Sequence, residues 1–394
     1  MSRVAIVVHA IYPGDPRIRR QSDALLDAGY EVDIICLRQP GETDVESDGA
    51  LRIVRLPLNR GFIGFAGHIA EYVAFSAMVA WRLAREHRTR RYDLVQVATV
   101  PDFLAFAALP EKLGGVPLLL DLHEDMPEFF RDRFASPLLR PLLPIVTAAT
   151  RASAAVADEI ITVHEPLRLL SIARGVDPER ISVVMNSADG RLFDPSRHER
   201  RPFMADGALR LIHHSNFQRI YGLDGAIEGL SRTRSDLPWR LDAYGDGPWR
   251  PRIQAAIERT GTADQVTLHG RVAMDDLPGL LAVADIGLVP SVAEPYLEYS
   301  LSTKLLEYAA MGVPTIASDL ATFRHHFTDA ALCFVPGGDP DALARAVEAL
   351  ADDPARTVAM GLEAQRQATA YDWEHHRRRY LEIVDRLVTK RAAG

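Results

Sequence analysis

The chain has 394 residues, a formal net charge of −8, and a composition that is 47% hydrophobic and 25% charged. This length is too great for one ordinary core and sufficient for two α/β domains. The composition excludes a disordered protein. Because the charge balance is acidic, the chain lacks an overall basic footprint for nucleic acid, and we predict no nucleic-acid partner.

Short apolar runs predict a first series of strands that are buried on both faces of a parallel sheet, because the runs lack polar alternation. The predicted strands are Val4–Val8, Val32–Leu37, Ile53–Leu56, Leu94–Val97, Leu118–Leu120, Ile160–Val163 and Ile181–Val184. Amphipathic helices are predicted between them, including Asp15–Ala28, Ile69–Glu86 and Ala148–Ala157. The polar, proline-flanked segment Asp194–Pro202 then predicts a linker.

A second series of strands and helices follows the linker. Its predicted strands are Leu209–His213, Leu241–Ala243, Val266–Leu268, Ile286–Val289, Thr315–Ala317 and Leu332–Val335. We therefore predict an α/β protein with two Rossmann-like doubly wound domains, residues 1–198 and 203–371, facing across a cleft. Residues 372–394 form a C-terminal helix that either covers the second sheet or crosses back to the first domain.

Location is predicted from cysteines and apolar runs. Cys36 and Cys333 are distant in sequence and lie in apolar strands, which predicts buried thiols in a reducing compartment. The N-terminus has the pattern of a core strand rather than of a signal peptide, and no run of apolar residues is long enough for a membrane-spanning helix. We expect a cytoplasmic protein.

The stretch Ser300–Pro314 carries the strongest functional signal. Ser302 or Thr303 can begin a helix whose free N–H groups attract an anion, and Lys304 adds a cation. Glu307, one turn later, can accept hydrogen bonds from hydroxyls. This combination suits a phosphate beside a polyol, as in a nucleotide sugar. The structural alternative is a capped helix with a Lys–Glu pair on its surface.

With this stretch, the chain resembles the glycosyltransferases of the GT-B fold and, within them, the large retaining group called family 4. In the second half the resemblance rests on 244–248, 266–272, 284–291 and 304–314. In the first half it rests on 15–20 with 25–30, on 121–124 and on 186–189. It implies a nucleoside diphosphate sugar donor, an enzyme of the EC 2.4 class, and no resident cofactor or metal.

The resemblance assigns Glu307 to the donor ribose, but the chain departs from the usual family pattern in two places. Tyr299 stands where a second glutamate is usual, so sugar contact falls to Tyr299, to the neighbouring Glu298, or to neither. This form matches a subgroup with a K-x-x-E-Y motif. Asn216 and Tyr221 stand where many members carry Arg and Lys, which leaves Arg219 as the cation that would act with Lys304 on the diphosphate.

Other site residues lie at predicted strand ends. The resemblance places the loop at Gly245 and the backbone at Arg271 and Val272 near the donor, although a tight turn equally explains the glycine. His123 follows a strand and would donate a hydrogen bond to the reacting sugar, whereas a lone histidine is more often structural. Further candidates are Gly14 beside the donor phosphates and Glu124 near the acceptor. Arg17 and Arg20 share a helix face that could hold an anionic acceptor, although a basic face in solvent is the commoner case.

A segment rich in aromatic and arginine residues leaves membrane contact open. Residues 59–68 contain two phenylalanines and lead into an apolar helix that ends with Arg82, Arg85, Arg88, Arg90 and Arg91. Such a pattern can mark peripheral contact at the inner membrane face. We favour instead a helix that covers the sheet.

We predict a retaining glycosyltransferase whose acceptor is a glycan, a lipid-linked sugar or a small natural product. A nucleotide-sugar epimerase of the same fold and a non-catalytic sugar-nucleotide-binding protein remain as rivals. A dinucleotide oxidoreductase is disfavoured because no G-x-G-x-x-G follows the first strand. A metal-dependent transferase is disfavoured because the one Asp-x-Asp, Asp339–Asp341, stands where a helix cap is expected. The oligomeric state is not predicted.

Overall fold

A computed structural model describes residues 1–58, 64–133 and 136–393. The chain divides into two compact units, Met1–Asn186 with the segment from Glu374 onward, and Ser187–Trp373. Residues 59–63, part of the segment considered for membrane contact, lie outside the described residues. No helix in the described ranges is both long and apolar enough to cross a membrane.

The first unit contains an eight-stranded sheet in the order β3-β4-β2-β1-β5-β6-β7-β8. Its strands are β1 (Arg3–Ile11), β2 (Glu31–Leu37), β3 (Val45–Asp48), β4 (Leu51–Leu56), β5 (Leu94–Ala98), β6 (Leu118–Leu122), β7 (Glu159–Thr162) and β8 (Ile181–Val183). All pairings are parallel except that of β3 with β4. Strand β3 is not among the predicted strands, because all four of its residues are exposed and it has no apolar pattern.

Helices surround this sheet. They are α1 (Pro16–Asp27), α2 (Gly64–Arg90), α3 (Leu109–Leu113), α4 (Met126–Arg133), α5 (Leu143–Val156) and α6 (Glu165–Ala173). Short 3-10 helices cover Asp102–Ala108 and Pro137–Leu142. Side chains from α2 and α5 pack in one core on the same side of the sheet, which includes Phe75, Val79 and Ala154.

The second unit contains a six-stranded, wholly parallel sheet in the order β11-β10-β9-β12-β13-β14. The strands are β9 (Leu209–Asn216), β10 (Trp239–Asp246), β11 (Val266–Leu268), β12 (Ile286–Val289), β13 (Thr315–Ser318) and β14 (Cys333–Val335). The helices are α7 (Leu223–Leu230), α8 (Arg250–Thr260), α9 (Leu277–Ala282), α10 (Thr303–Ala310), α11 (Ala321–His326), α12 (Pro340–Asp352) and α13 (Pro354–Ala368). The two predicted Rossmann-like domains with parallel sheets are thus confirmed.

The boundaries between the units differ from the predicted linker. The segment Asp194–Pro202 clusters with the second unit, where Arg201 donates to the buried Asp285 at 3.1 Å. The last helix, α14 (Trp373–Ala393), clusters almost entirely with the first unit. Tyr380 of α14 donates to Gln96 of β5 at 2.6 Å, and Arg391 pairs with Asp93 at 2.9 Å.

Candidate functional site

At the N-terminus of α10, the side chain of the capping residue makes no hydrogen bond to the helix. Ser302 occupies this position, as predicted, but its hydroxyl does not accept from the first turn. The hydroxyl oxygen is buried and has no hydrogen-bond partner within the part of the chain that the structure describes. A helix N-terminus carries a partial positive charge. The first turn of α10 therefore offers backbone N–H groups and one buried hydroxyl to an anion.

Lys304 is buried at the first turn of α10, with only 7% of its surface exposed. Its Nζ lies 3.8 Å from the centre of the Tyr221 ring, a cation–π contact. Burial lowers the pKa of Lys304 to about 8, although Glu307 acts in the opposite direction. The structural alternative of a Lys–Glu pair on the helix surface is therefore not supported, because both side chains are buried.

Glu307 lies on the buried side of α10 and meets His214 from the end of β9. The distance from Glu307 Oε2 to His214 Nε2 is 3.1 Å. The backbone N–H of His214 donates to the Tyr308 hydroxyl at 3.3 Å, and the two rings meet edge to face. A single turn of α10 therefore fixes the carboxylate and the histidine beside it.

A glycine in β12 lets α10 approach the sheet this closely. A Cβ atom on Gly287 would lie 2.5 Å from the Tyr308 ring. His213, next to His214, is fully buried and bonds the Leu288 carbonyl at 2.9 Å. Burial lowers the pKa of His213 to about 3, with Lys304 acting in the same direction. His213 is thus neutral and adds no charge to the site.

The loop after β9 carries the aromatic ring that covers Lys304. A 3-10 turn at Arg219–Tyr221 ends at Gly222, which has a φ of 62°. A Cβ on Gly222 would lie 2.0 Å from the Pro290 carbonyl oxygen, so the loop is locked against the end of β12. In the same loop, Arg219 is exposed and pairs with Glu294 at 2.9 Å. Asn216 is exposed at the end of β9.

The loop at the end of β10 is compact for steric reasons. Gly245 has a φ of 140°, and its Cβ would lie 1.8 Å from the Ser215 carbonyl oxygen. A Cβ on Gly247 would lie 2.4 Å from the Phe217 carbonyl oxygen. The tight-turn interpretation of these glycines is therefore confirmed. Arg271 is exposed and Val272 half-buried in the loop after β11.

The structure separates the two residues considered as substitutes for a second glutamate. The Glu298 carboxylate accepts from the Ala321 N–H at 2.8 Å, at the start of α11. The Glu298 backbone carbonyl accepts from the Thr322 hydroxyl. Glu298 thus stabilises the next helix, whereas Tyr299 is half-buried at the end of the preceding 3-10 helix. Asp339 caps α12 by accepting from Asp341 and Ala342, as predicted.

In the first unit, His123 belongs to a buried polar network. Its Nε2 lies 2.9 Å from Asp121 Oδ2, and both side chains are almost fully buried. The same carboxylate accepts from Gln21 at 2.8 Å, and Gln21 accepts from Gln96 at 2.7 Å. The Asp121 carboxylate therefore lies directly beside the His123 ring at the carboxyl end of β6.

The arginines predicted to bind an anionic acceptor already have partners. Arg17 makes a two-pronged pair with Asp15, whose side chain also caps α1. Although burial acts the other way, Arg17 holds the pKa of Asp15 below its usual range. Arg20 is buried and donates to Asn186. Neither arginine presents a free cation, so the predicted anionic acceptor site is not supported.

A contact between His9 and Glu71 at this edge was not predicted from the sequence. His9 of β1 lies 3.2 Å from Glu71 of α2, and both side chains are largely buried. No motif connects these distant residues, and only the strand-end position of His9 gives a signal.

Glu124 is half-buried, and its negative charge interacts electrostatically with Arg17. Gly14 lies in the turn between β1 and α1. Within the described ranges, no three His, Cys, Asp or Glu side chains are grouped as a metal site.

Comparison with known families supports a relationship on both halves of the chain. Residues 14–187 match a family described as "Glycosyl transferase 4-like domain". Residues 208–353 match one described as "Glycosyl transferases group 1". Each match lies almost wholly within one unit of the structure.

Curated relatives match at low identity but over most of their length. The chain is 26% identical to a 2-deoxystreptamine glucosyltransferase of Streptomyces kanamyceticus over 91% of this chain and 95% of that protein. It is 24% identical to an alpha-D-kanosaminyltransferase of the same organism, over 77% and 80% of the two chains.

Solved structures share the whole fold. A sucrose-phosphate synthase from Thermosynechococcus elongatus superposes with a TM-score of 0.81 at 19% identity, covering 99% of this chain and all of that one. Anabaena HepE, solved with UDP and glucose, gives a TM-score of 0.70 at 17% identity, with 98% and 100% coverage.

Proposed function

We propose that this chain, a glycosyltransferase that combines a family 4-like N-terminal domain with a group 1 C-terminal domain, transfers a sugar with retention from a nucleoside diphosphate sugar to an acceptor hydroxyl. The observation that carries the proposal is the first turn of α10. There a buried lysine, a free helix N-terminus and a buried carboxylate lie within one turn.

The diphosphate would bind at the N-terminus of α10. Backbone N–H groups, the Ser302 hydroxyl and the Lys304 ammonium are all suited to phosphate oxygens. Thr303, the first residue of α10, adds a second hydroxyl. Because Lys304 is already desolvated, it gives up little hydration when an anion arrives, and its attraction to the anion is strong.

The ribose would bind at Glu307. A carboxylate accepts hydrogen bonds from two neighbouring hydroxyls, and His214 holds one oxygen of this carboxylate at 3.1 Å. The loops at Gly245, Arg271 and Val272 would contact the nucleoside. Tyr299 is the remaining candidate for the transferred sugar, because Glu298 bonds the start of α11. Two solved structures with this fold, both of Anabaena HepE, contain UDP and UDP-glucose, which supports a nucleotide-sugar donor.

The transfer would proceed by departure of the diphosphate and attack of the acceptor hydroxyl on the same face of the sugar. A leaving phosphate oxygen takes the proton from that hydroxyl, so the enzyme needs no nucleophile. Lys304 stabilises the charge that develops on the diphosphate. Arg219 would join it by exchanging Glu294 for phosphate, and His123 would donate to the sugar. This chemistry needs no metal, and we propose a metal-independent, cytoplasmic enzyme.

The acceptor would carry no phosphate beside its reacting hydroxyl. Asp15, Asp121 and Glu124 surround the edge near His123, and Arg17 is already paired with the first of them. An anion at this edge would meet net negative charge. A neutral or amine-bearing polyol fits better. By their names, two curated relatives act on 2-deoxystreptamine.

The donor site is tested by calorimetry with UDP, with uridine and with a panel of other nucleotides. We expect Lys304→Ala to weaken UDP binding about 10- to 100-fold, the value of a hydrogen bond to a charged group, and to leave uridine binding unchanged. Glu307→Ala should weaken the binding of both UDP and uridine. Lys390→Ala, on the exposed side of α14, is the control. Unchanged affinity in both site variants would refute the proposed site.

The reaction class is tested by incubating the protein with nucleotide sugars in the absence of an acceptor. Slow hydrolysis of one donor supports transfer and identifies that donor. Formation of a changed sugar nucleotide would instead establish the epimerase. Binding with neither reaction, and no transfer to any sugar or aminocyclitol in a panel, would favour a non-catalytic protein.

A further inference from the structure

The long helix α2 has an apolar face on both sides. Its inner side contributes Phe75, Val79 and Leu83 to the core of the first unit, as a covering helix must. Its outer side is also apolar. From the first turn onward every third or fourth residue is exposed, and these residues are Ala66, Ala70, Val73, Ala77 and Trp81. Val73 is 54% exposed and Trp81 is 61% exposed. Burial against the sheet therefore leaves this outer stripe unexplained.

The two sides of α2 carry charges of opposite sign, with glutamates on the buried side and arginines on the exposed side. Its two glutamates are buried: Glu71 faces His9, and Glu86 pairs with Arg52. The exposed charges are Arg85 and Arg88, one and two turns after Trp81. Neither arginine has a carboxylate partner among the described residues, and Arg85 lies over the Trp81 ring at 5.3 Å. The outer side of α2 is thus apolar and then purely cationic.

A second apolar group lies on the same side of the sheet. Leu138 of the 3-10 helix before α5 is 87% exposed, and Ile145 of α5 is 65% exposed. The sequence from 136 to 157 contains Arg140 and Arg151 but no acidic residue. Because α2 and α5 pack in one core on one side of the sheet, their outer sides face the same way. We call these exposed residues of α2 and of 138–145 the apolar face.

We propose that the apolar face binds the surface of a membrane that contains anionic lipids. The chain as a whole carries a charge of −8, yet its exposed charges on this face are arginines. Apolar side chains flanked by arginine match the acyl boundary and the anionic headgroups of such a bilayer. A second copy of the chain fits less well, because a symmetric contact would set arginine against arginine.

The position of the apolar face supports this occupant. The apolar half of α2 starts at the edge of the sheet that carries the strand ends, where Tyr72 packs edge to face on His9 of β1. Phe65 contacts Phe130 of α4 in the same way. The region next to His123 would therefore lie near the headgroups, within reach of a sugar carried on a lipid. The membrane contact itself does not depend on the proposed function.

The test is flotation of the full-length protein with lipid vesicles. We expect binding to vesicles rich in phosphatidylglycerol, little binding to phosphatidylcholine alone, and a decrease with salt. Trp81 is the most exposed of the four tryptophans, since Trp239 and Trp373 are buried and Trp249 is half-buried. Its fluorescence should shift to shorter wavelength on binding, and Trp81→Phe should abolish the shift while keeping the protein on the vesicles.

Two double variants separate the apolar and charged contributions. Val73→Glu with Trp81→Glu should abolish flotation, and Arg85→Glu with Arg88→Glu should weaken it about tenfold or more. The matched controls are Leu362→Glu, 58% exposed on α13, and Arg378→Glu, exposed on α14. All variants alter exposed positions, and circular dichroism with UDP binding checks their folding. Either control weakening flotation as much as its partner variant would overturn the proposal. Failure of the wild-type protein to float with any of the vesicles would also overturn the proposal. So would a dimer in solution that dissociates when Trp81 is changed to Glu.

Discussion

Each unit buries an ionisable side chain whose pKa burial moves well towards neutrality, Asp102 in the first unit and Lys304 in the second, and these two side chains have different neighbours. In the first unit, burial raises the pKa of Asp102 to about 7. In the second, burial lowers the pKa of Lys304 to about 8. Asp102 accepts a hydrogen bond from Thr150 at 2.6 Å, and its other oxygen has no hydrogen-bond partner in residues 1–58, 64–133 and 136–393. Lys304 faces an aromatic ring and a free helix N-terminus.

The difference shows when a buried charge indicates a binding site. Asp102 is almost fully buried, and its hydrogen-bond donor is Thr150 of the same unit. Its burial therefore lowers stability and does not create a binding site. Among the described residues, Lys304 has no hydrogen-bonding carboxylate, and the donors beside it at the start of α10 have no side-chain partner either, so an anion would satisfy all of them together. The arginines of the first unit give the opposite case, since Arg17 and Arg20 are satisfied internally.

The largest expected effect is on stability, at Asp102. Because its folded pKa lies above the unfolded value of about 4, the unfolded chain ionises first and the first unit loses stability as the pH rises from about 4 to about 7. Asp102→Asn keeps the size and the bond from Thr150 but cannot ionise. We expect it to stabilise the first unit at pH 7 by about 3 kcal/mol and by almost nothing near pH 4.

Differential scanning calorimetry at several pH values measures this effect on the transition of the first unit. Asp48→Asn, at an exposed carboxyl of the same unit, is the control and should follow the wild type. A wild-type protein whose pH dependence parallels that of Asp102→Asn would show that the buried carboxyl does not titrate in this range.

The next effect is on binding, at Lys304. Below about pH 8 the free protein is protonated at this site, so its contribution to diphosphate affinity is constant. Above about pH 8 the proton must be taken up on binding, and we expect UDP affinity to fall by up to tenfold per pH unit. Lys304→Arg stays charged throughout and should give a flatter profile.

Tyr221 allows a second check on the same group. Tyr221→Phe keeps the ring and should keep the profile, whereas Tyr221→Leu removes the cation–π contact and should move the fall in affinity to lower pH. Calorimetry between pH 7 and pH 9 measures all four proteins. Identical profiles for wild type and Lys304→Arg would mean that Lys304 does not carry the charge that binds the diphosphate.

The sequence predicted the fold well because parallel strands need continuous apolar runs, and each predicted strand has its counterpart in the sheets. It placed Lys304, Glu307 and His123 at strand ends or a helix start for the same reason. It could not show that Arg17 is neutralised by Asp15, because pairing depends on rotamers rather than on spacing. Nor could it find His214, which reaches Glu307 only when β9 and α10 meet across 93 residues of chain.

The smallest expected effect concerns Arg219, the exposed cation that we predict to act with Lys304 on the diphosphate. Its pair with Glu294 is a surface ion pair, so losing it should cost less than about 1 kcal/mol of stability. If Arg219 exchanges Glu294 for the diphosphate, the two residues should act in opposite directions. Arg219→Ala should then lower kcat about tenfold, and Glu294→Gln, which frees the guanidinium, should tighten UDP binding about twofold to fivefold. Steady-state kinetics and calorimetry separate these effects from folding, which should be unchanged in both variants. Wild-type values for both would leave Arg219 as a solvated loop charge and Lys304 as the sole side-chain cation that we assign to the donor.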